Sequence, residues 1–582
     1  MAEQDEGTFA NGRWKILAAV VIGTFMVILD TTVINVAFPT LRAEFGAGLA
    51  VSQWIVSVYV LSLGISTPLA GFLGDRFGAR RIYVLGLCIF VTGSVLAGFA
   101  PVLWALVAAR ALQAAGGGMA TPLGAAFLFR TFPPEKQGTA LGVFGVGLLV
   151  APAVGPILGG ALVSAGHWRW IFFLNVPVGL LGALWAWHVL PGRDADGARK
   201  PAVDTWGIVA SVVGFGTLLY GASIAAEVGW AAPQTLVAFA VGVLGLAALL
   251  WVDLVHARDP LLEFRLYKDR TFLNASVVGY VSVLALFGAE FLLPLYLQSL
   301  RGLTAFETGL VLLPLGVAAG FTTPIAGKLY DHIGPRALVG VGFAVLALNT
   351  WQLARLDATT SLGHIRLLMG MRGVALGLTV QSTFTTALGA VDRKRVARGS
   401  SLVNGTRFVV QSIGVALLTT ILAGSLSPAT RALQQRAQSA GSAGQRGAGA
   451  SQQSGGASGA SAGAPAGGLC VAAGESRGAG GVEDRPVQRG SGLASGQTFR
   501  RACNENLAGF ERAYRFTFYA SLVAFALGIL LPGWPGKWSG RGNLGERGGG
   551  DRGASAAGAP DEAARGTSSG ESDRRPGRLA PA

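Results

Sequence analysis

The stretch Thr67-Pro-Leu-Ala-Gly71-Phe-Leu-Gly-Asp75-Arg76-Phe-Gly78-Ala-Arg80 decides the fold, because a second copy of it follows 256 residues later. The copy reads Thr323-Pro-Ile-Ala-Gly-Lys-Leu-Tyr-Asp331-His-Ile-Gly334-Pro-Arg336 and is identical at eight of fourteen positions. In both copies an apolar run leads into a turn where glycines permit a tight bend beside acidic and basic side chains. The repeat therefore predicts a chain built from two related halves.

Apolar residues surround both copies. Of the 582 residues, 51% are hydrophobic and 13% are charged, and the mean hydropathy is +0.51, which excludes a water-soluble domain of this length. The net charge of +15 does not indicate a nucleic-acid partner, because the basic residues lie in short connections and in a Gly-rich tail. Membrane topology and anionic lipid explain this charge. We expect a multi-pass protein of the lipid bilayer.

Fourteen apolar runs are long enough to cross the hydrocarbon core, which takes roughly 17 to 25 residues. With the long loop before the last span and the tail excluded, twenty Lys and Arg lie in one set of alternate connections and only five in the other, namely Arg42, Arg169, Arg301, Arg355 and Arg366. The positive-inside rule then predicts an even number of spans in the inner membrane, with both termini in the cytoplasm. The predicted helices lie near 15–38, 51–74, 82–100, 102–129, 139–165, 169–190, 205–225, 234–255, 272–297, 306–328, 336–356, 364–390, 399–424 and 514–533.

The repeat divides this row of helices into segments. The long loop before the last predicted helix (425–513) and the C-terminal tail (534–582) are rich in Gly, Ala, Ser and Arg, a composition typical of disorder. Cys470 and Cys503 share the long loop, and their pairing is left open. The predicted segments are a cytoplasmic N-terminus (1–14), a six-helix half (15–190), two inserted helices (191–260), helices 9 to 13 of the second half (261–424), a disordered extracytoplasmic loop (425–513), the last helix (514–533) and a disordered cytoplasmic tail (534–582).

The repeated turn resembles the signature of the major facilitator superfamily. Two parallel six-helix halves are also the layout of that superfamily. The resemblance implies an all-α membrane protein with the major facilitator fold and two additional helices. Asp75 can meet a helix N-terminus or a basic group such as Arg130, and this gate would break and reform as the halves rock. The residues that carry the signature and its weaker copy are Gly71, Asp75, Arg76, Gly78 and Arg80, and Asp331, Gly334 and Arg336.

Two further motifs indicate the direction of transport. Gly147-Leu-Leu-Val-Ala-Pro152-Ala-Val-Gly155-Pro156-Ile-Leu-Gly159-Gly160 resembles the fifth-helix motif of exporters that exchange substrate for protons. Leu29-Asp30-Thr-Thr-Val-Ile-Asn35-Val-Ala-Phe-Pro39 resembles the first helix of fourteen-helix drug:proton antiporters of the EmrB/QacA type. Glycines four residues apart flatten a helix face for close packing, and prolines bend the helix. The resemblance implies a multidrug exporter. We expect the proton gradient to drive it, without cofactor or metal, because the sequence has no phosphate-binding loop of the form G-x-x-x-x-G-K-[ST].

Four charged residues inside predicted helices are the proton-coupling candidates. A carboxylate deep in a span marks a proton or ion site by default, which applies to Asp30 in the first helix. Arg110, at a similar depth in the fourth helix, is its expected partner. Glu290 and Arg372 occupy the corresponding helices of the second half. The alternative for each pair is a static buried ion pair. We expect protonation of Asp30 and binding of a cationic or amphipathic substrate to compete.

Other functions remain to be weighed against export. A nutrient facilitator or importer on the same fold would lack the fifth-helix motif. A membrane enzyme is disfavoured, because the five histidines are scattered and no nucleophile or metal motif is present. The expected partners are the bilayer, protons and a small-molecule substrate that the sequence does not name, with a periplasmic adaptor left open. The candidates for a cavity wall are Asn35, Gln113, Asn404, Arg407 and Gln411.

Overall fold

The computed structural model describes residues 2–47, 49–192, 202, 204–256, 259–425, 470 and 496–533. Over these ranges the chain forms helices and connections and no β-strand. Fourteen helices have fifteen residues or more: α1 (Ala2–Glu44), α2 (Leu49–Phe77), α3 (Ala79–Gly98), α4 (Leu103–Thr131), α5 (Gln137–Ser164), α6 (Asn175–Val189), α7 (Thr205–Val228), α8 (Pro233–Trp251), α9 (Arg270–Leu295), α10 (Ala305–Ile333), α11 (Pro335–Leu353), α12 (Leu362–Gly389), α13 (Val396–Gly424) and α14 (Gly496–Gly528). The described residues thus contain fourteen long helices, the same number as the apolar runs in the sequence.

Ten of these helices are long and apolar enough to cross a membrane. The four others, α4, α9, α12 and α14, have between 26 and 33 residues, a length that suits a span. Two of them bury an arginine completely, Arg110 in α4 and Arg372 in α12. An all-α membrane fold follows from these helices, and the count of fourteen spans stays a prediction.

The packing of α1–α6 is repeated in α9–α14. In the first half α4 packs against α2 and α3, and α6 packs against α1 and α3. In the second half α12 packs against α10 and α11, and α14 packs against α9 and α11. The halves meet along two seams, α5 with α10 and α2 with α13, while the inserted α7 lies against α2 and α13. The 256-residue sequence repeat is therefore a repeat of three-dimensional structure.

The repeated glycine and the repeated arginine have the same structural role in both copies of the turn. Gly78 joins α2 to α3 with φ +98°, and Gly334 joins α10 to α11 with φ +77°, a region that favours glycine. Two residues later, Nη1 of Arg80 donates to the Trp187 carbonyl (3.3 Å) and Nε of Arg336 donates to the Leu531 carbonyl (2.6 Å). Each arginine thereby fastens the turn to the end of the sixth helix of its own half. We call this end of the bundle, which carries Arg80, Arg130, Arg336 and Arg398, the basic end.

The last helix differs from the prediction. It begins at Gly496 rather than at residue 514, so the final eighteen residues of the segment predicted as disordered are helical. Despite several charges, this part buries Cys503 and Phe510 on one face, and the Phe510 ring packs edge-on against Tyr296. Cys503 forms a disulfide with Cys470, which settles the pairing left open by the sequence. The rest of that loop, 426–469 and 471–495, and the tail 534–582 lie outside the described residues.

Candidate functional site

Asp30 and Arg110 form an ion pair in the interior of the first half. Nη1 of Arg110 on α4 donates to Oδ2 of Asp30 on α1, and both side chains are 0% exposed. The guanidinium carbon lies 4.0 Å from the centre of the Tyr59 ring, a cation–π arrangement that stabilises a buried arginine. The structure brings the two residues together, as their similar depth in the sequence suggested.

Two amides complete the surroundings of the carboxylate. Nε2 of Gln113 and Nδ2 of Asn175 each donate to Oδ1 of Asp30 at 2.8 Å. Oε1 of Gln113 accepts from Arg110 at 2.6 Å, and its amide also donates to Ser94 Oγ at 2.7 Å. Gln113 was among the candidates from the sequence, whereas Asn175 and Ser94 were missed because an uncharged polar residue in a span carries no distinctive signal. We call Asp30, Arg110, Gln113 and Asn175 the Asp30 cluster.

One donor of the Asp30 cluster is left over. Nη2 of Arg110 is buried and has no hydrogen-bond partner among the described residues. A buried donor without a partner costs about 1–3 kcal/mol. The cluster therefore holds the carboxylate with three donors while leaving the arginine incompletely satisfied.

The glycines of α5 place this helix directly against α1. A Cβ at Gly155 would overlap Thr32 Oγ1, and one at Gly159 would lie 3.0 Å from the Val33 carbonyl oxygen. The opposite side of α5 faces the second half, where a Cβ at Gly309 of α10 would lie 3.0 Å from Pro156. Pro152 and Gly160 lie in the same helix, Gly160 facing Phe306 at the start of α10. Through α5, the helix that carries Asp30 is in contact with the interface between the halves.

At the basic end, Asp75 joins the two halves. Its Oδ2 accepts from Nε of Arg398 on α13 at 2.8 Å, and its Oδ1 accepts from Nη2 of Arg130 on α4 at 3.4 Å. The Gly71 amide donates to Ser401 Oγ at 2.9 Å, and a Cβ at Gly71 would lie 2.7 Å from the Ala397 carbonyl. Arg398 was not predicted as a partner because it is distant in sequence. Arg76 lies with its guanidinium 5.5 Å from the Phe77 ring centre.

Asp331 closes the other seam of the basic end by different chemistry. Its carboxylate accepts from the backbone amides of Gly138 (2.8 Å) and Thr139 (2.9 Å) and from the Thr139 hydroxyl (2.7 Å). These groups lie in the first turn of α5, where unpaired amides favour a negative charge. The two options considered for Asp75, a basic group and a helix N-terminus, are thus divided between the two copies of the turn.

In the second half, Arg372 lies on α12, which corresponds to α4, the helix of Arg110. Arg372 is completely buried, and it donates from Nη2 to the Ala285 carbonyl (3.0 Å) and from Nη1 to Asn349 Oδ1 (3.3 Å). Glu290 lies in α9, but its side chain falls outside the described part of the structure. The proposed pair of Glu290 with Arg372 therefore stays a prediction, and a carbonyl and an amide are among the partners of Arg372.

The remaining candidates for a cavity wall are Arg407, Asn35, Asn404 and Gln411. Arg407 lines a small cavity between α9, α12 and α13. Asn35 is exposed and takes no part in the Asp30 cluster, because five residues along α1 turn it to another face. Asn404 donates to the Ser400 carbonyl within its own helix (2.9 Å), and Gln411 is half-buried away from the cavity. Of these four, Arg407 is the residue that lines this cavity.

Comparison with known proteins agrees with this architecture. The family model of the Major Facilitator Superfamily matches residues 20–415. The MFS-type transporter YhcA of Bacillus subtilis is 35% identical over 412 residues, covering 71% of this chain and 77% of the relative. The multidrug export protein EmrB of Haemophilus influenzae is 32% identical over 403 residues, covering 69% and 79%. The crystal structure of a bacterial homologue of the human lysosomal transporter Spinster superposes with a TM-score of 0.52 at 17% identity, covering 89% of this chain and 96% of that one.

Proposed function

The chain belongs to the major facilitator superfamily, whose members are transporters rather than enzymes, and from this premise we propose that it exports small amphipathic compounds in exchange for protons. Its relative EmrB is a multidrug export protein, which supports export of drugs. The observation that carries proton coupling is the completely buried ion pair of Asp30 and Arg110, which lies two residues along α1 from the contact between Thr32 and Gly155.

Protonation of Asp30 would unbalance the Asp30 cluster. The neutral carboxyl no longer compensates Arg110, and a buried charge left without its partner is destabilising by about 3–5 kcal/mol. Arg110 must then move toward water or toward another acceptor, a rearrangement that its unpartnered Nη2 favours. Each protonation state of Asp30 thus stabilises a different arrangement of α1 and α4.

This rearrangement would reach the interface between the halves through α5. Thr32 lies two residues beyond Asp30 and touches α5 at Gly155, and the neighbouring Pro156 faces α10 of the second half. A shift of α1 therefore moves the helix that forms one seam. The substrate and the proton need not compete for one carboxylate, because Asp30 is sealed from solvent in this conformation.

The contacts of the basic end would act as the gate. Asp75 with Arg398 and Asp331 with the start of α5 hold the halves together there. We assign the basic end to the cytoplasm of an inner-membrane protein by the positive-inside rule, so this conformation is closed toward the cytoplasm. Protons from outside then reach the Asp30 cluster when the opposite end opens. A periplasmic adaptor stays an open partner.

Everted membrane vesicles test this proposal. Their interior is acidified by respiration, a pH-sensitive dye reports the gradient, and candidate compounds are added to vesicles with and without the protein. We expect at least one compound to release protons from the lumen only when the protein is present. Movement of a compound without proton movement would instead favour the facilitator, and absence of both for every compound would contradict export.

A further inference from the structure

The buried guanidinium of Arg110 lies between α1 and α2 and contacts both helices. On the α1 side its Nη1 donates to Oδ2 of Asp30. On the α2 side its Nε donates to the Ile55 carbonyl at 3.4 Å, and its central carbon lies 4.0 Å from the centre of the Tyr59 ring. The carboxylate of α1 loses its charge on protonation, whereas the carbonyl and the ring of α2 do not change. The contacts with α2 therefore remain available in both protonation states of Asp30.

The Tyr59 ring is held in place by its own hydroxyl. Tyr59 is 1% exposed, and its hydroxyl donates to the Val27 carbonyl of α1 at 2.9 Å. The same carbonyl accepts from the Thr31 hydroxyl at 3.2 Å. Val27 precedes Asp30 by about one helical turn. The ring is thus anchored to the helix that carries the carboxylate, with its face toward the arginine.

The ring contributes most when the carboxylate is neutral. In the ionised cluster the charge of Asp30 draws the guanidinium toward α1. In the protonated cluster this attraction is lost, and a buried cation without its partner is destabilising. The negative face of the ring then supplies the remaining attraction, which is stronger away from water. The ring therefore stabilises the protonated cluster more than the ionised one.

Few other ionisable groups act on Asp30. At its level, the titratable side chains that face it from the described part of the neighbouring helices are Arg110 of α4 and Tyr59 of α2. The sequence of α5 contains no titratable residue, and α6 contributes the neutral amide of Asn175. The balance between carboxylate and ring is thus set by three side chains.

We propose that Tyr59 is a positioning residue for proton uptake: its ring holds Arg110 when Asp30 is protonated and raises the pH at which Asp30 takes up a proton. The inference rests on the proposed function and adds a residue to its proton-coupling site. It also links the Asp30 cluster to α2, the helix that carries Asp75 of the basic end.

Infrared difference spectroscopy of the purified protein tests the role of the ring. A protonated carboxyl has a C=O stretching band that a carboxylate lacks, and the part of this band that is lost in Asp30→Asn belongs to Asp30. Its titration gives the pH of half-protonation. We expect Tyr59→Phe to leave this pH unchanged, because the ring remains. Tyr59→Leu should lower it by about 0.5 to 1 unit, which corresponds to an about three- to tenfold weaker proton affinity for the loss of one cation–π contact.

A matched control separates the ring from packing. Tyr83 of α3 is also completely buried and donates to a carbonyl of α1, that of Ala19 at 3.4 Å, but its ring packs against Phe127. Tyr83→Leu should lower the melting temperature as Tyr59→Leu does and leave the titration unchanged. If Tyr59→Leu does not fold, phenylalanine analogues with one to three ring fluorines at position 59 keep the shape and weaken the negative face stepwise. The pH of half-protonation should then fall with each added fluorine.

Three outcomes would overturn the role of Tyr59. An unchanged titration in Tyr59→Leu, or across the fluorinated series, would remove the ring from proton uptake. A shift of equal size in Tyr83→Leu would show that lost packing is the cause. A higher pH of half-protonation in Tyr59→Leu would reverse the assigned direction.

Proton release from everted vesicles separates this inference from the proposed function. An Asp30 titration that depends on the ring, with no compound releasing protons from the lumen, would support the role of Tyr59 and contradict proton-driven export. Proton release together with a titration that ignores the ring would support export and contradict the role of Tyr59. Absence of the Asp30 band at every pH would contradict both.

Discussion

The two copies of the charged turn share their geometry and differ in what holds the acidic residue. Gly78 and Gly334 both have positive φ, and Arg80 and Arg336 both fasten the turn to the end of a sixth helix. Asp75, however, is held by two arginine side chains, whereas the partners of Asp331 are two backbone amides and a hydroxyl. The repeated residues thus fix the local turn, and the facing helix decides which interaction closes each seam.

The strongest way to break this comparison is to remove the charge of each acid while keeping its shape. Asn retains an acceptor oxygen for an N–H donor but cannot form an ion pair with arginine. We expect Asp75→Asn to slow export about tenfold or more, in line with about 1–3 kcal/mol for a partly buried group left unsatisfied. Asp331→Asn should slow it less, about three- to fivefold, since Asn keeps one of the two acceptor oxygens for the amides of α5 while losing the other and the charge. Initial export rates at matched expression measure both, and equal losses would contradict the assigned difference.

Alanine at the two glycines sharpens what the copies share. With φ +98° at Gly78 and +77° at Gly334, we expect each substitution to destabilise the protein by about 1–3 kcal/mol. Thermal melting of the purified protein in detergent measures this. Gly370→Ala is the control, because that helical position has open space around it and a helical φ. A melting temperature lowered at one turn but not at the other would break the structural equivalence.

Removing the acceptor at Asp331 isolates the helix-capping role. Asp331→Ala leaves two amides at the start of α5 without their acceptor, and the loss of such a cap costs about 0.5–2 kcal/mol. Asn keeps one of the two acceptor oxygens and should restore part of the melting temperature at this position, whereas at Asp75 it should restore little. Rescue by Asn at both positions would show that charge is unimportant at the basic end.

The smallest effects are expected at the two arginines that fasten the turns. Lysine keeps the charge but reaches fewer carbonyls than the planar guanidinium. Arg80→Lys and Arg336→Lys should each cost about 0.5–1.5 kcal/mol, the net worth of one hydrogen bond. Melting temperatures lowered by similar amounts would support the equivalence of the last helix with α6. A large effect at Arg336 alone would contradict it.

Much of this fold could be predicted because its signals are local or periodic. The sequence repeat predicted two equivalent turns with a glycine in each. The similar depth of Asp30 and Arg110 in their spans predicted that the two residues pair. The start of α14 was missed because charged residues interrupt its apolar run. A helical stripe of Cys503, Asn506, Phe510 and Thr517, spaced by three, four and seven residues, is the signal that could have found it.

The candidate site was less predictable because its polar partners come from distant helices. Asn175 and Ser94 reach the Asp30 cluster through the packing of α6 and α3, which no spacing in the sequence reveals. Asn35 belongs to the same first-helix motif as Asp30, yet its position around the helix directs it elsewhere. Arg398 became the partner of Asp75 only through the contact between halves.

Proton coupling through Asp30 is tested most directly by separating exchange from gradient-driven accumulation in proteoliposomes. Asp30→Asn preserves the size of the side chain but cannot cycle a proton, while Glu44→Gln neutralises an exposed carboxylate of the same helix as a control. We predict that Asp30→Asn exchanges labelled for unlabelled substrate but no longer accumulates it with a pH gradient, and that Glu44→Gln does both. Gradient-driven accumulation undiminished in Asp30→Asn would contradict the account.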